Sequence, residues 1–282
     1  MENMKKPKVQ VTDADKQKSY FKYYERDLAQ IAPEKAGKIF GPPTAPIGKP
    51  KFVDRAKILE PGYEEEIGYC VMPDGTGYFC DCTFIPGGTA EMVDWYFAWR
   101  GLDELSFVIV NPEVNLGAKS MQTVITKDPF RTIQEKYWDT TQEIHRVGGR
   151  GPMGPPQIDY FNFKCPSSVG FDMNKIGYDK ETKTLVCARN FADGQPPMAA
   201  PDYFICHQVK EVEGGINVIS RAWYGWTVRY GKSYKALPDD FFMQPFVPQG
   251  LMIQNATEWA NLAAILPSLY AEEKDTLQGV KL

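Results

Sequence analysis

A polar-headed apolar stripe near the C-terminus constrains the fold more than any other feature of this chain. Residues 254–262 read Gln-Asn-Ala-Thr-Glu-Trp-Ala-Asn-Leu, and the run continues through Leu266-Pro267-Ser268-Leu269-Tyr270. Leu262, Ile265, Leu266 and Leu269 recur at helical spacing. Gln254 and Glu258 stand four residues apart, one above the other on a helical face. The spacing predicts one helix from about Gly250 to Glu272, with its body on a core and its first turns looking into a pocket. Pro267 lacks a backbone donor and should mark a kink or a late irregularity. Two side chains at i and i+4 can hold a metal from one side of a helix. A pair of solvated helix residues has the same spacing.

What such a helix packs on follows from the rest of the chain. Strand-like runs occur at residues 66–72, 78–84, 107–110, 141–147, 158–163, 185–190, 202–209 and 216–230. Pro86-Gly87-Gly88 breaks one of them, and Thr89 can cap a helix over about Ala90 to Arg100. That helix aligns Met92, Tyr96 and Trp99, with Trp95 alongside. Near the N-terminus, Tyr20, Tyr23, Tyr24 and Leu28 recur at near-helical spacing within Ser19–Ala32, and Phe40–Pro46 reads as a rigid linker. The expected class is therefore α+β, a curved antiparallel sheet wrapped on a long C-terminal helix. Residues 1–50 would form an N-terminal helical extension and linker, and residues 51–282 the domain carrying the site. The glycine-proline run from Gly148 to Pro156 is flanked by strands. A phosphate cradle needs a helix N-terminus after its glycines, so the run reads as a connector or a pocket flap.

Composition excludes some functions. A net charge of -4 leaves no electrostatic footprint for nucleic acid, and no apolar run is long enough for a membrane span. Residues 1–18 are polar and lysine-rich without an apolar signal-type core, so a cytoplasmic location is expected. The six cysteines include no Cys-x-x-Cys knuckle and are expected to be reduced. Aromatic residues reach 13% of the chain, compatible with a pocket that stacks on flat organic ligands as well as with plain core packing.

Four pieces carry a family resemblance. They are Trp95-Tyr-Phe-Ala-Trp-Arg-Gly-Leu102, Asn111-Pro-Glu-x-Asn115, Gln142-Glu-Ile144, and Gln254-x-x-x-Glu258-x-x-Asn261-Leu-Ala-x-x-Leu266-Pro-x-Leu-Tyr270. In this order and at similar intervals, they resemble the diacetylphloroglucinol hydrolase and phloretin hydrolase family. The resemblance implies a helix-grip, Bet v 1-like fold. It also implies cleavage of a carbon–carbon bond between a polyhydroxylated ring and an acyl group, at a zinc ion held by two His and two Glu. Carried over residue by residue, the first His falls at Asn115 and the first Glu at Glu143. The second His falls at Gln254 and the second Glu at Glu258. Both imidazoles are thus amides, which are poor zinc ligands but acceptable to harder cations. No bound zinc or other cofactor is expected, although the set leaves room for a weakly held divalent metal. On a strand His145 would share a face with Glu143 and could point into the same cavity.

Three functions stay open on these residues. The first is a carbon–carbon hydrolase of acylated phenols. The second is a metal-free isomerase, cyclase or lyase acting on an aromatic ketone. In that case Glu143 and Glu258 move the proton, with His145 as a further catalytic candidate, and Asn115 and Gln254 hold the substrate oxygen. The third is a non-catalytic binder of small molecules. Trp95, Trp99, Trp223 and Tyr224 are the expected flat walls. The expected partner is a small aromatic ketone, with no nucleic acid or membrane, and a homo-oligomer is left open.

Overall fold

The computed structural model describes residues 6–148, 155–192 and 202–277. Residues 149–154, the greater part of the expected flap, lie outside that description. The helices are α1 (Lys22–Glu25), α2 (Pro33–Phe40), α3 (Ala90–Trp99), α4 (Leu105–Val108), α5 (Thr123–Lys127) and α6 (Phe246–Glu273). The strands are β1 (Gly68–Val71), β2 (Gly77–Pro86), β3 (Asn115–Ser120), β4 (Thr141–Arg146), β5 (Gln157–Lys164), β6 (Thr182–Ala192), β7 (Tyr203–Val212), β8 (Gly215–Tyr224), β9 (Trp226–Arg229) and β10 (Lys232–Lys235). The first eight form one sheet in the order β1-β2-β8-β7-β6-β5-β4-β3, antiparallel throughout, and β9 pairs with β10 separately.

Alternation along the strands assigns side chains to the two faces of the sheet. On β7, Tyr203, Ile205 and Val209 join the core under α3 and α6, while Phe204 and Cys206 join a second core on the opposite face. That second core is closed by Phe52, Ile58 and Leu59 of one 3-10 segment and by Val169 of another. The expected helix is present as α6, which lies over β2 and β1 and beside α3. It buries Met252, Ala256, Trp259, Leu262, Ile265, Leu266 and Leu269, and it runs on past Pro267 to Glu273. No helix among the described residues is long and apolar enough to cross a membrane.

Several local expectations hold. Thr89 caps α3, its side chain accepting from the Met92 amide at 3.3 Å. All six cysteines are free thiols. Others change. Residues 107–110 were expected as a strand, but Leu105–Val108 is a turn of helix, because Asp103 Oδ1 accepts from the Leu105 amide at 3.0 Å and starts it. A short apolar run cannot by itself distinguish the two states. Only Lys22–Glu25 of the expected 19–32 helix is helical. The single strand expected over residues 216–230 is divided at Gly225, whose φ of +93° turns the chain into the β9–β10 hairpin. The N-terminal segment packs into the main core through Val9, Tyr20, Tyr23 and Ile39.

Candidate functional site

Strand β4 sets the geometry of the site. Its residues alternate, with Gln142, Ile144 and Arg146 buried and Thr141, Glu143 and His145 partly exposed. Ile144 belongs to the main core, so its face is the inner one, and Arg146 shares it. Asn115 is the direct cross-strand partner of Arg146 on β3. From α6, Gln254 and Glu258 reach the same guanidinium. Nη2 of Arg146 donates to Glu258 Oε1 at 3.3 Å, and Nη1 donates to Asp159 Oδ2 of β5 at 3.2 Å. The Gln254 amide is oriented with its oxygen toward Arg146, since the other orientation sets donor against donor. It then accepts from Nη2 at 2.8 Å and from Nε at 2.9 Å.

Arg146, Gln254 and Glu258 stand in the wall of a cavity between sheet, α3 and α6, with about 630 Å³ of empty space, part of it open to solvent. Phe97, Phe107, Phe161, Phe163 and Trp259 supply aromatic surface, and Ile144, Ile205 and Leu262 aliphatic surface. The polar lining includes Tyr96, Arg100, Arg146, His207, Gln254 and Glu258. Arg100 Nε donates to Gln142 Oε1 at 2.8 Å, and its guanidinium lies 4.5 Å from the Phe97 ring centroid. The Tyr96 hydroxyl is buried and has no hydrogen-bond partner among the described residues. His207 Nδ1 lies 2.8 Å from Ser220 Oγ, and the ring stacks on Phe97.

Burial and charge together set the protonation states. His207 is lowered to about 3, first by burial and then by the Arg100 charge, so it is a neutral imidazole at ordinary pH. Burial also lowers Arg100, with Tyr96 and Glu258 favouring its charge and Arg146 opposing it. For Arg146 burial again opposes the charge, but Glu258 and Asp159 more than offset it, and the net shift is upward. Asp159 is raised by burial against the pull of Arg146. Tyr96 is raised by burial and stays a protonated donor.

The expected site residues therefore do not all converge. Gln254 and Glu258 line the cavity. Asn115 is fully buried and does not line it; its Nδ2 donates to the Phe107 carbonyl at 3.2 Å and its Oδ1 has no hydrogen-bond partner among the described residues. Glu143 and His145 do share a face, but it is the outer face of β4. There His145 Nε2 and Glu143 Oε1 lie 2.6 Å apart, with side chains 39% and 35% exposed. A strand places neighbours on opposite sides, so Arg146 and not Glu143 enters the cluster. Trp95 and Trp99 stack on each other away from the cavity, at 5.0 Å, against Tyr270 and Tyr20. Tyr96, Phe97 and Arg100 take the inward positions instead. Trp223 faces the second core and donates to the Pro50 carbonyl at 2.8 Å. Tyr224 stacks at 4.9 Å on Tyr203, which does line the cavity.

Arg146, Arg100, Asp159, Tyr96 and His207 were not among the site residues expected from the sequence. For Arg146 the signal was present: Ile144 is the apolar residue of Thr141–Arg146 and marks the inward face two positions before the arginine. For Arg100, whose hydrogen-bond acceptor Gln142 lies on β4, 42 positions along the chain, the helical spacing alone does not report the site.

The residues present do not fit the zinc ion that the resemblance implies. Asn115 and Gln254 offer amides, Glu258 a single carboxylate, and Arg146 a cation that cannot ligate. Among the described residues no group of three or more His, Cys, Asp or Glu is placed to hold a metal. We expect the isolated protein, dialysed against a chelator, to carry far less than one zinc per chain by elemental analysis. Stoichiometric zinc lost on substituting Glu258 would contradict this.

Comparison with known proteins finds relatives over most of the chain. The chain is 38% identical over 281 residues to phloretin hydrolase from Eubacterium ramulus, covering 97% of this chain and 98% of that protein. It is 26% identical over 234 residues to 2,4-diacetylphloroglucinol hydrolase from a Pseudomonas species, covering 79% of this chain and 77% of the relative. The crystal structure of Ara h 8.0201 superposes with a TM-score of 0.43 at 9% identity, covering 69% of this chain and 99% of that one. The family model described as DAPG hydrolase PhiG domain matches residues 49–271, and the chain belongs to that family.

Proposed function

We propose that the protein hydrolyses the carbon–carbon bond between an acyl group and a phenolic ring. The observation that carries this reading is the aromatic-walled cavity with Glu258 in its lining, in a chain related over nearly its whole length to phloretin hydrolase. In such a reaction the oxygen of water adds to the acyl carbon. The aryl–acyl bond then breaks with its electron pair left on the ring carbon, and a proton fills that carbon. The products are a carboxylic acid and the deacylated phenol. Glu258 is suited to take a proton from the water, and Tyr96 O–H and the Arg100 guanidinium to hold the phenolic oxygens. Phe97, Phe161 and Trp259 supply flat walls for the ring.

The loss of both imidazoles favours one further reading, proton transfer on an aromatic ketone without hydrolysis. A single experiment separates the readings. The purified protein is incubated with phloretin and, separately, with diacetylphloroglucinol, and the products are followed by chromatography and mass. Hydrolysis yields a free carboxylic acid and the deacylated ring in equal amounts. An isomer of unchanged mass supports the second reading. Binding without any product marks a non-catalytic cavity and overturns both.

A further inference from the structure

We propose that the Arg146 guanidinium stands at the position of the family's metal and serves as the cavity's permanent cation. Two of the carried-over ligand positions contact it, and a third is its cross-strand partner. Gln254 accepts two of its hydrogen bonds, Glu258 accepts a third, and Asn115 is its direct partner across the β3–β4 pair. The fourth carried-over position, Glu143, faces away from the cavity, and the β4 side chain that faces inward beside Asn115 is Arg146 itself. A guanidinium is always charged and presents five N–H donors in a fixed plane. Among the described residues Gln254, Glu258 and Asp159 engage four of them, which leaves one N–H on Nη1 for an oxygen of the ligand. The Asn115 Oδ1 atom is buried without a hydrogen-bond partner among the described residues. The replacement changes the chemistry available. A guanidinium stabilises a negative oxygen through hydrogen bonds and charge, but it cannot lower the pKa of a bound water as a metal does. Proton removal from water then falls to Glu258. This last step rests on the hydrolase reading; the position of Arg146 does not.

The position is tested by rebuilding the metal site. The variant Asn115→His, Arg146→Glu, Gln254→His, with Glu258 retained, recreates two His and two Glu around one point. It should hold about one zinc per chain after dialysis against a weak chelator, whereas the parent does not. The variant Asn115→His, Gln254→His keeps both Glu143 and Arg146 and should stay empty. If this double variant binds zinc as well as the triple, Glu143 is the fourth ligand and the proposal falls. It falls equally if the triple variant is folded by circular dichroism and binds none.

A second arm covers the case in which the triple variant does not fold. Phloretin affinity is measured by tryptophan fluorescence, in chelator, for Glu258→Gln with Asp159→Asn and for the same pair combined with Arg146→Met. Carrying Glu258→Gln and Asp159→Asn in both variants avoids an unpaired carboxylate beside Arg146→Met, so their difference reports Arg146. A charge-assisted hydrogen bond predicts a loss on the order of 10–100-fold for the combined variant. Equal affinities would mean that Arg146 does not bind the ligand. Neither arm reads turnover, so a failure of the hydrolase reading would be seen separately.

Discussion

Glu258→Gln is expected to lower turnover of an acylated phenol by about 10²–10⁴-fold, the usual contribution of a positioned general base, while Glu143→Gln leaves it within about twofold. Glu258 lines the cavity and is held by Nη2 of Arg146 at 3.3 Å. Glutamine has the same shape and retains an oxygen for that guanidinium, but it cannot take a proton. The fold should survive, because Arg146 keeps Asp159 and Gln254 as partners. The loss should fall on kcat more than on KM, since ring binding rests on aromatic surface that the substitution does not touch. Glu143 is equally a carboxylate on a neighbouring element, yet its side chain is on the outer face of β4 beside His145. The pair of variants therefore separates a catalytic assignment made by sequence interval from one made by strand face. Parental rates in Glu258→Gln would remove the carboxylate from the chemistry, and a large loss in Glu143→Gln would show that β4 is read from the wrong side.

Legibility in the sequence followed the range of the interactions. The C-terminal helix was readable because its stripe of Leu262, Ile265, Leu266 and Leu269 lies within one element and needs no partner to be recognised. The strands of the main sheet were mostly readable for the same reason, and the resemblance in the Gln254–Tyr270 segment brought Glu258 to a cavity. What failed was the choice of face. Glu143, His145 and Arg146 are adjacent in sequence, and only the position of Ile144 in the core says which of them turns inward. Trp95 and Trp99 were expected as cavity walls because tryptophan is large and flat. On α3 they pack instead against Tyr270 and Tyr20, residues more than 70 positions away, whose location no local pattern reports. His207 carried no signal either: its neutral state comes from burial and from Arg100, which the fold brings to the same wall.

The largest stability effect is expected at a carboxylate that takes no part in the cavity. Asp94 sits inside α3 with no exposed surface and no cation beside it among the described residues. Four donors converge on it instead. Oδ1 accepts from Tyr137 O–H at 2.8 Å and from Thr184 O–H at 2.8 Å, while Oδ2 accepts from Gln134 Nε2 at 2.7 Å and from Tyr178 O–H at 3.0 Å. The carboxylate thereby ties α3 to β6 and to the loop before β4. Asp94→Ala would leave the buried Tyr137 and Thr184 hydroxyls without acceptors, at roughly 1–3 kcal/mol each, whereas the exposed Tyr178 can turn to water. A loss of about 3 kcal/mol at neutral pH is therefore expected from urea unfolding, with the far-ultraviolet spectrum of the folded state unchanged. The loss should also depend on pH in a direction opposite to that of a salt-bridged aspartate. Burial raises Asp94 to about 6, against the lowering effect of its four hydrogen bonds. The native state then holds a proton that the unfolded chain has already released between roughly pH 4 and 6, so this group's contribution is fully present below that window and falls as pH rises through it. Across the window the fall amounts to about 3 kcal/mol. The parent should lose this increment on going from acid to neutral pH and the alanine variant should not, which makes the measured difference between them larger at pH 4.5 than at pH 7. A difference that is larger at pH 7 would mean that Asp94 is ionised through the whole range and that its four hydrogen bonds outweigh its burial.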